Sequence, residues 1–174
     1  SDNKSGYTIN GTLTGYDEGS SVSLVNANNG QPEATTQLVD GKFVFKGSLA
    51  SPDFRIISVN NQQPYLTLFL DNSEVDIKGD KATIDAAVVS GSKSHNEFLA
   101  FNSVITPYEG MINGTEEVTD FKKFDAASND LSNFIKANTA SYITPLVIYR
   151  LNQFTGDNQQ METLFSGLTQ PVKM

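Results

Sequence analysis

The sequence predicts an α+β chain: an N-terminal antiparallel β-sandwich of seven or eight strands, then a C-terminal helical region of about four helices. Three observations predict it. Before Gly91 the apolar residues alternate along short runs, as in half-buried strands. Turn signals separate those runs at roughly 8–12 residue spacing, the pattern of a sandwich. After Gly91 the apolar period lengthens to about 3.6 and helix-capping residues replace the turn signals. The expected division is a frayed tail over residues 1–6, a sandwich over 7–91 and a helical region over 92–174, packed on or beside it.

Each strand has its own signal. Tyr7, Ile9, Gly11 and Leu13 alternate with Thr8, Asn10, Thr12 and Thr14. Val22-Ser-Leu24 resumes the alternation after the Asp17-Glu-Gly-Ser loop, and Asn28-Asn-Gly30 turns the chain again. Leu38 to Phe45 reads as the clearest hairpin, because Asp40-Gly41 supplies the positive φ angles of a type I′ turn. Phe54 to Val59 is apolar and β-branched, and Asn60 to Pro64 reads as its break. Tyr65 to Leu70, Val75 to Lys78 and Ala86 to Val89 complete the set.

The helices follow. Ser94 with Glu97 reads as a capping box, with Phe98, Phe101, Ile105 and Tyr108 on one face. Thr115, with Glu116 and Glu117 behind it, reads as the next start, where acids suit the helix dipole. Its apolar stripe is Val118, Phe121, Phe124, Ala127, Leu131, Phe134 and Ile135. A third helix is expected from Ser141 to Gly156, with Pro145 tolerated in its first turn and Tyr142, Leu146, Ile148 and Tyr149 facing the core. Asp157 with Gln160 caps a fourth, whose Met161, Leu164, Phe165 and Leu168 follow a full amphipathic pattern.

Composition excludes several functions. A chain of 174 residues fits one domain or two small ones. It buries roughly 70% of its unfolded surface, so it needs neither disulfide nor metal to hold a core. With no cysteine it has no disulfide, no thiolate nucleophile and no Cys-ligated metal. One histidine, His95, excludes a multi-histidine site within the chain. A net charge of −8 argues against nucleic acid, whose binding rests on Lys and Arg at phosphates. No apolar run approaches the ~18 residues that span a bilayer, and these residues show no basic-then-apolar signal pattern.

Few residues carry chemistry by pattern. His95 falls in the first turn of a capped helix and reads as an exposed or partly packed position whose replacement leaves the fold intact. Gly91-Ser92-Lys93-Ser94 lacks the Gly before Lys, and the second Gly upstream, that a phosphate loop requires. Asp71 to Asp76 offers oxygen ligands but lacks the Gly and terminal Glu of an EF-hand loop, and reads as a polar hairpin turn. Asp17, Glu18, Asp125 and Asp130 read as solvated acids. Asn10-Gly-Thr12 and Asn113-Gly-Thr115 match the glycosylation triplet, a pattern frequent by chance. The chain has 11 Phe, which read mostly as core, 6 Tyr and no Trp. Tyr7, Tyr16 and Tyr65 are the candidate surface contacts for a ligand. No catalytic residue, cofactor site or metal site is expected.

Four segments carry a family resemblance. They are Tyr7-Thr-Ile-Asn-Gly11-Thr-Leu, Asp40-Gly41-Lys-Phe43-Val-Phe45-Lys-Gly47, Leu66 to Asp71 running on to Val75-Asp-Ile77-Lys-Gly79-Asp80, and Val89-Ser-Gly91-Ser92 with Asn96-Glu97. In their order and spacing the chain resembles the domain of unknown function that lies N-terminal to a thioredoxin-like domain in bacterial envelope lipoproteins. These are TlpA-like and alkyl-hydroperoxide-reductase-like thiol–disulfide oxidoreductases. Asn133 to Asn138, Ser141-Tyr142 and Met161 to Leu168 are similar to the helices that precede the thioredoxin domain there. The resemblance implies a non-catalytic module that positions or dimerises a thioredoxin-like domain, in cis or in trans, or binds its clients. It also implies an envelope location with a lipid anchor outside these residues as the membrane link. The family's catalytic cysteines have no counterpart here, so none is carried over. The competing expectations are a stand-alone module binding glycan or peptide on a sandwich face, and a hydrolase built on Asp and Glu.

Overall fold

The computed structural model describes residues 5–117, 119 and 121–173. Their contacts separate into two compact units, Ser1–Asn96 and Glu97–Met174. Of the expected tail, residues 1–4 lie outside the described residues. Gly6 already lies close against a neighbouring segment of the chain: a Cβ there would sit 2.4 Å from the Gly47 carbonyl oxygen.

The first unit holds eight strands: β1 (Tyr7–Thr14), β2 (Ser21–Asn26), β3 (Pro32–Gln37), β4 (Lys42–Gly47), β5 (Asp53–Val59), β6 (Gln62–Leu70), β7 (Glu74–Asp80) and β8 (Val88–Ser90). They form two four-stranded sheets, ordered β4-β1-β7-β8 and β3-β2-β5-β6. The expected sandwich is therefore present. Alternation places Ile9, Leu13, Phe43, Phe45, Val75 and Ile77 of the first sheet against Val22, Leu24, Ile57, Leu66 and Leu68 of the second. Among the described residues only β1 and β7 pair in parallel; the other ladders are antiparallel. Gly11 is a packing requirement. A Cβ there would fall 1.9 Å from a ring carbon of Phe43, so the ring crosses the strand where no side chain stands.

Three local expectations change. The Asp40-Gly41 turn forms, with φ of 53° and 74°, but its arms hold one bridge, Val39 to Lys42, and then diverge into different sheets. It is a corner between sheets rather than a long hairpin. The expected break at Asn60 to Pro64 is shorter than read, since β5 ends at Val59 and β6 begins at Gln62. Asn60 and Asn61, both at φ 53°, make a two-residue turn between β5 and β6. Pro64, after a cis peptide, lies inside β6, which tolerates it as an edge strand with no outer ladder to feed. The Asp71 to Ser73 link is likewise no hairpin turn, since it carries the chain from β6 in one sheet to β7 in the other.

The helices are α1 (Lys93–Ile105), α2 (Glu109–Ile112), α3 (Phe121–Ala137), α4 (Thr144–Thr155), α5 (Asn158–Ser166) and α6 (Gln170–Lys173). Four exceed seven residues and match the expected number; α2 and α6 are single turns. In the second unit α3 buries Ala127, Leu131 and Ile135, and α4 buries Val147, Ile148 and Leu151. Phe124 stacks on Phe154 at 4.4 Å and Phe101 meets Phe134 at 6.0 Å.

Helix starts differ from the sequence reading. The amides of Thr115 and Glu116 both return to the Gly110 carbonyl at 2.9 Å, closing the turn of α2, and α3 begins at Phe121. Val118 lies outside the described residues. Phe121, expected on the apolar stripe, is 80% exposed at the start of α3. Helix α4 starts at Thr144, not Ser141. Its inward face therefore runs through Val147, Ile148 and Leu151, leaving Leu146 half-buried and Tyr142 and Tyr149 exposed. No helix among the described residues is long and apolar enough to cross a membrane.

Candidate functional site

A concave surface lies inside the second unit, between α4 and α5. It is a groove of about 700 Å³ lined by Pro145, Ile148, Tyr149, Met161, Glu162, Thr163, Phe165 and Ser166. Pro145 stands in the first turn of α4, where its missing N–H costs nothing, and Gly156 at φ 68° ends that helix. Asp157 then caps α5, accepting the Gln160 amide at 2.9 Å as expected. This short link brings two apolar stripes together without covering them. Helix α5 has no fully buried residue, so its Met161 and Phe165 form the groove wall rather than core. The lining is apolar and aromatic, with a carboxylate, two hydroxyls and a phenol at its polar positions. It suits an apolar side chain or short apolar segment. It contains no nucleophile paired with a base. The signal for it was readable in part: two consecutive amphipathic helices joined by a two-residue link, each with aromatics on the same stripe.

A polar cluster forms at the start of α1, and it departs from the expected capping box. Ser92, not Ser94, caps the helix: its hydroxyl accepts the His95 amide at 3.1 Å. Asp71, from the β6–β7 link, supplies the second cap. Its Oδ2 accepts the Ser94 amide at 3.0 Å, and its Oδ1 accepts the Ser92 hydroxyl at 2.9 Å and the Ser73 hydroxyl. Burial pushes the Asp71 carboxyl up, but these hydrogen bonds outweigh it and hold the group below its ordinary range. His95 is not an exposed helix-start residue. It is 4% exposed, and its Nδ1 accepts the buried Phe69 amide at 3.1 Å. Burial lowers its pKa, against the opposing pull of Asp71. The imidazole is therefore neutral, with its proton on Nε2.

The three expected tyrosine contacts do not converge. Tyr7 and Tyr16 flank opposite ends of β1, and Tyr65 stands on β6 of the other sheet. Tyr7 is core, 8% exposed, so it is not a surface contact. Its ring fills space left by Gly47, where a Cβ would lie 2.5 Å from the phenol oxygen. Burial, and then Glu33, raise its pKa, while Arg55 opposes them. Tyr16 is half-buried with the Lys81 ammonium 5.8 Å over its ring. Tyr65 is exposed. Near Tyr7 the sandwich holds a charged cluster that sequence reading missed. Arg55 lies on the inward phase of β5, and its Nε meets Glu33 at 2.6 Å while Nη1 meets Asp53 at 3.3 Å. Its Nη1 also donates to the Phe54 carbonyl at 2.9 Å, so the buried guanidinium is well paired. The signal was an arginine on the same phase as Ile57 and Val59. Among the described residues no group of three or more His, Asp or Glu is placed to hold a metal ion.

A family model described as a domain of unknown function, DUF4369, matches residues 7–98, more than half of the chain. The chain belongs to the DUF4369 family. The match spans every strand of the DUF4369 sandwich and the first turns of α1. It therefore includes the Asp71–His95 cluster and all three tyrosines, and it stops before the α4–α5 groove. No curated protein and no solved structure matches the chain.

Proposed function

We propose that this chain is the non-catalytic N-terminal module of an envelope thiol–disulfide oxidoreductase-like lipoprotein. In this reading it positions or dimerises a thioredoxin-like domain, in cis or in trans, or binds that domain's clients. The observation that carries the reading is the DUF4369 match. The four segments that suggested the family all lie within residues 7–98. The packing agrees with a structural role for those segments: Gly11 admits Phe43, Gly47 admits Tyr7, and Asp71 caps α1. The α4–α5 groove is a surface on which a client's apolar side chain would dock. The reading places the protein in the bacterial periplasm or at the outer membrane, held through a lipid anchor outside these residues.

The alternative, a glycan or peptide module on a sandwich face, draws on the three tyrosines, of which only Tyr65 is exposed. An insulin-reduction assay separates the two readings. The chain alone turns nothing over, as a cysteine-free chain must. Added to a thioredoxin-like domain, it changes the rate on a protein client and not on a small disulfide. No effect on either rate, and no binding to that domain in sedimentation, overturns the proposal. A positive glycan-array signal in its place moves the assignment to the alternative.

A further inference from the structure

The neutral His95 does more than fill space. β6 is an edge strand, so the amides on its outer side have no ladder partner, and one of them, on Phe69, is buried. The structure meets this with the imidazole of the next helix. His95 Nδ1 accepts the Phe69 amide at 3.1 Å, while the backbone around His95 is fixed by Ser92 and Asp71. A protonated imidazole carries hydrogen on both nitrogens, so it cannot accept that amide. We propose that His95 is an acid-released clasp: neutral, it closes the outer edge of β6 through the Phe69 amide, and protonated, it opens that edge while the sandwich stays folded.

The surroundings favour release over a change of partner. Asp71, from the β6–β7 link, acts on the imidazole by its charge. Its carboxylate already serves the hydroxyls of Ser73 and Ser92 and both the amide and the hydroxyl of Ser94. A carboxylate has about four acceptor sites, so an imidazolium would have to displace one of the bonds that cap α1. β6 and β5 present the rings of Phe69 and Phe54, with centroids 4.8 Å apart. On α1 the charged neighbours in sequence are Lys93, which is exposed, and Glu97, half-buried two residues on. The sandwich core lies on the opposite, inward phase of β6, at Leu66, Leu68 and Leu70, and is untouched by the loss.

The test uses the whole chain, in which His95 is the only histidine and its ring signals are unambiguous. Ring nitrogen shifts by NMR should show hydrogen on Nε2 alone at about pH 7.5, and a fully protonated ring on acidification. Over the same range the protection factor of the Phe69 amide should fall at least about tenfold, while those of Ile9 and Leu24 hold. His95→Asn, whose Oδ1 takes the place of Nδ1 and does not titrate, should keep Phe69 protected across the range. Hydrogen on Nδ1 at neutral pH overturns the proposal. So does ring protonation that leaves Phe69 protected, or a loss of Phe69 protection that is the same in the variant. Should the variant not fold, the wild-type ring shifts and Phe69 protection decide the matter between them.

Discussion

At the scale of single residues, absent side chains matter as much as present ones. The Phe43 ring lies across β1 where Gly11 has no Cβ, and the nearest ring carbon is 1.9 Å from where one would be. Gly11→Ala therefore forces the ring, and Phe45 5.6 Å beyond it, to move. We expect a loss of about 1–3 kcal/mol, as for other overpacked cores. Urea denaturation measures it, and Phe43→Leu in the Gly11→Ala background should recover part of the loss. An unchanged midpoint for Gly11→Ala would show that the ring has room. Asp71 gives a prediction in pH. Its carboxyl lies below the ordinary value of 3.8 in the folded chain. It therefore contributes stability that is present above that value and lost as pH falls through the folded one. Asp71→Asn should weaken the cap at neutral pH by about 1 kcal/mol and flatten the acid limb of the stability profile. Thermal melts across pH 2–5 or so would read this, and parallel wild-type and variant profiles there would refute it.

Elements show which parts of the fold were legible in the sequence. β1, β4 and β7 were legible because burial on one face alone writes an alternating pattern. β3 was not, because Pro32–Gln37 is a polar edge strand with no buried side chain and so leaves no pattern. The start of α3 was misread because Thr115-Glu116-Glu117 is a good local start signal, yet its amides are used by the preceding turn. The burial of His95 depends on an unpaired amide on β6, twenty-six residues back, which no local pattern reports. The groove followed from α4 and α5 lying side by side, and their stripes read as core because nothing local says which stripe remains uncovered. Where local chemistry is sufficient, as at Asp157, expectation and structure agree. Removing that cap tests the element directly. Asp157→Ala should destabilise α5 by about 1 kcal/mol, a roughly fivefold rise in amide exchange over Asn158–Ser166. Exchange unchanged across α5 would mean that packing against α4, not the cap, holds it.

For the molecule as a whole, the two compact units each have a core of their own. Leu24 is fully buried among sandwich residues, and Leu131 is fully buried on α3. Truncating either side chain removes comparable apolar volume and leaves a cavity, at a cost of about 2–5 kcal/mol. Where the loss appears is the informative quantity. With local unfolding of each unit, Leu24→Ala lowers amide protection across β2, β5 and β6 and leaves α3 and α4 near wild type. Leu131→Ala does the reverse. With one cooperative transition, each variant lowers protection in both units by the same free energy. The partition of contacts favours the first pattern. Hydrogen exchange on the two variants distinguishes them, since uniform loss in both would make the chain a single folding unit. The result also bears on function. The family match ends two residues beyond the division between the units. A sandwich that unfolds independently is the behaviour expected of the separate module proposed above.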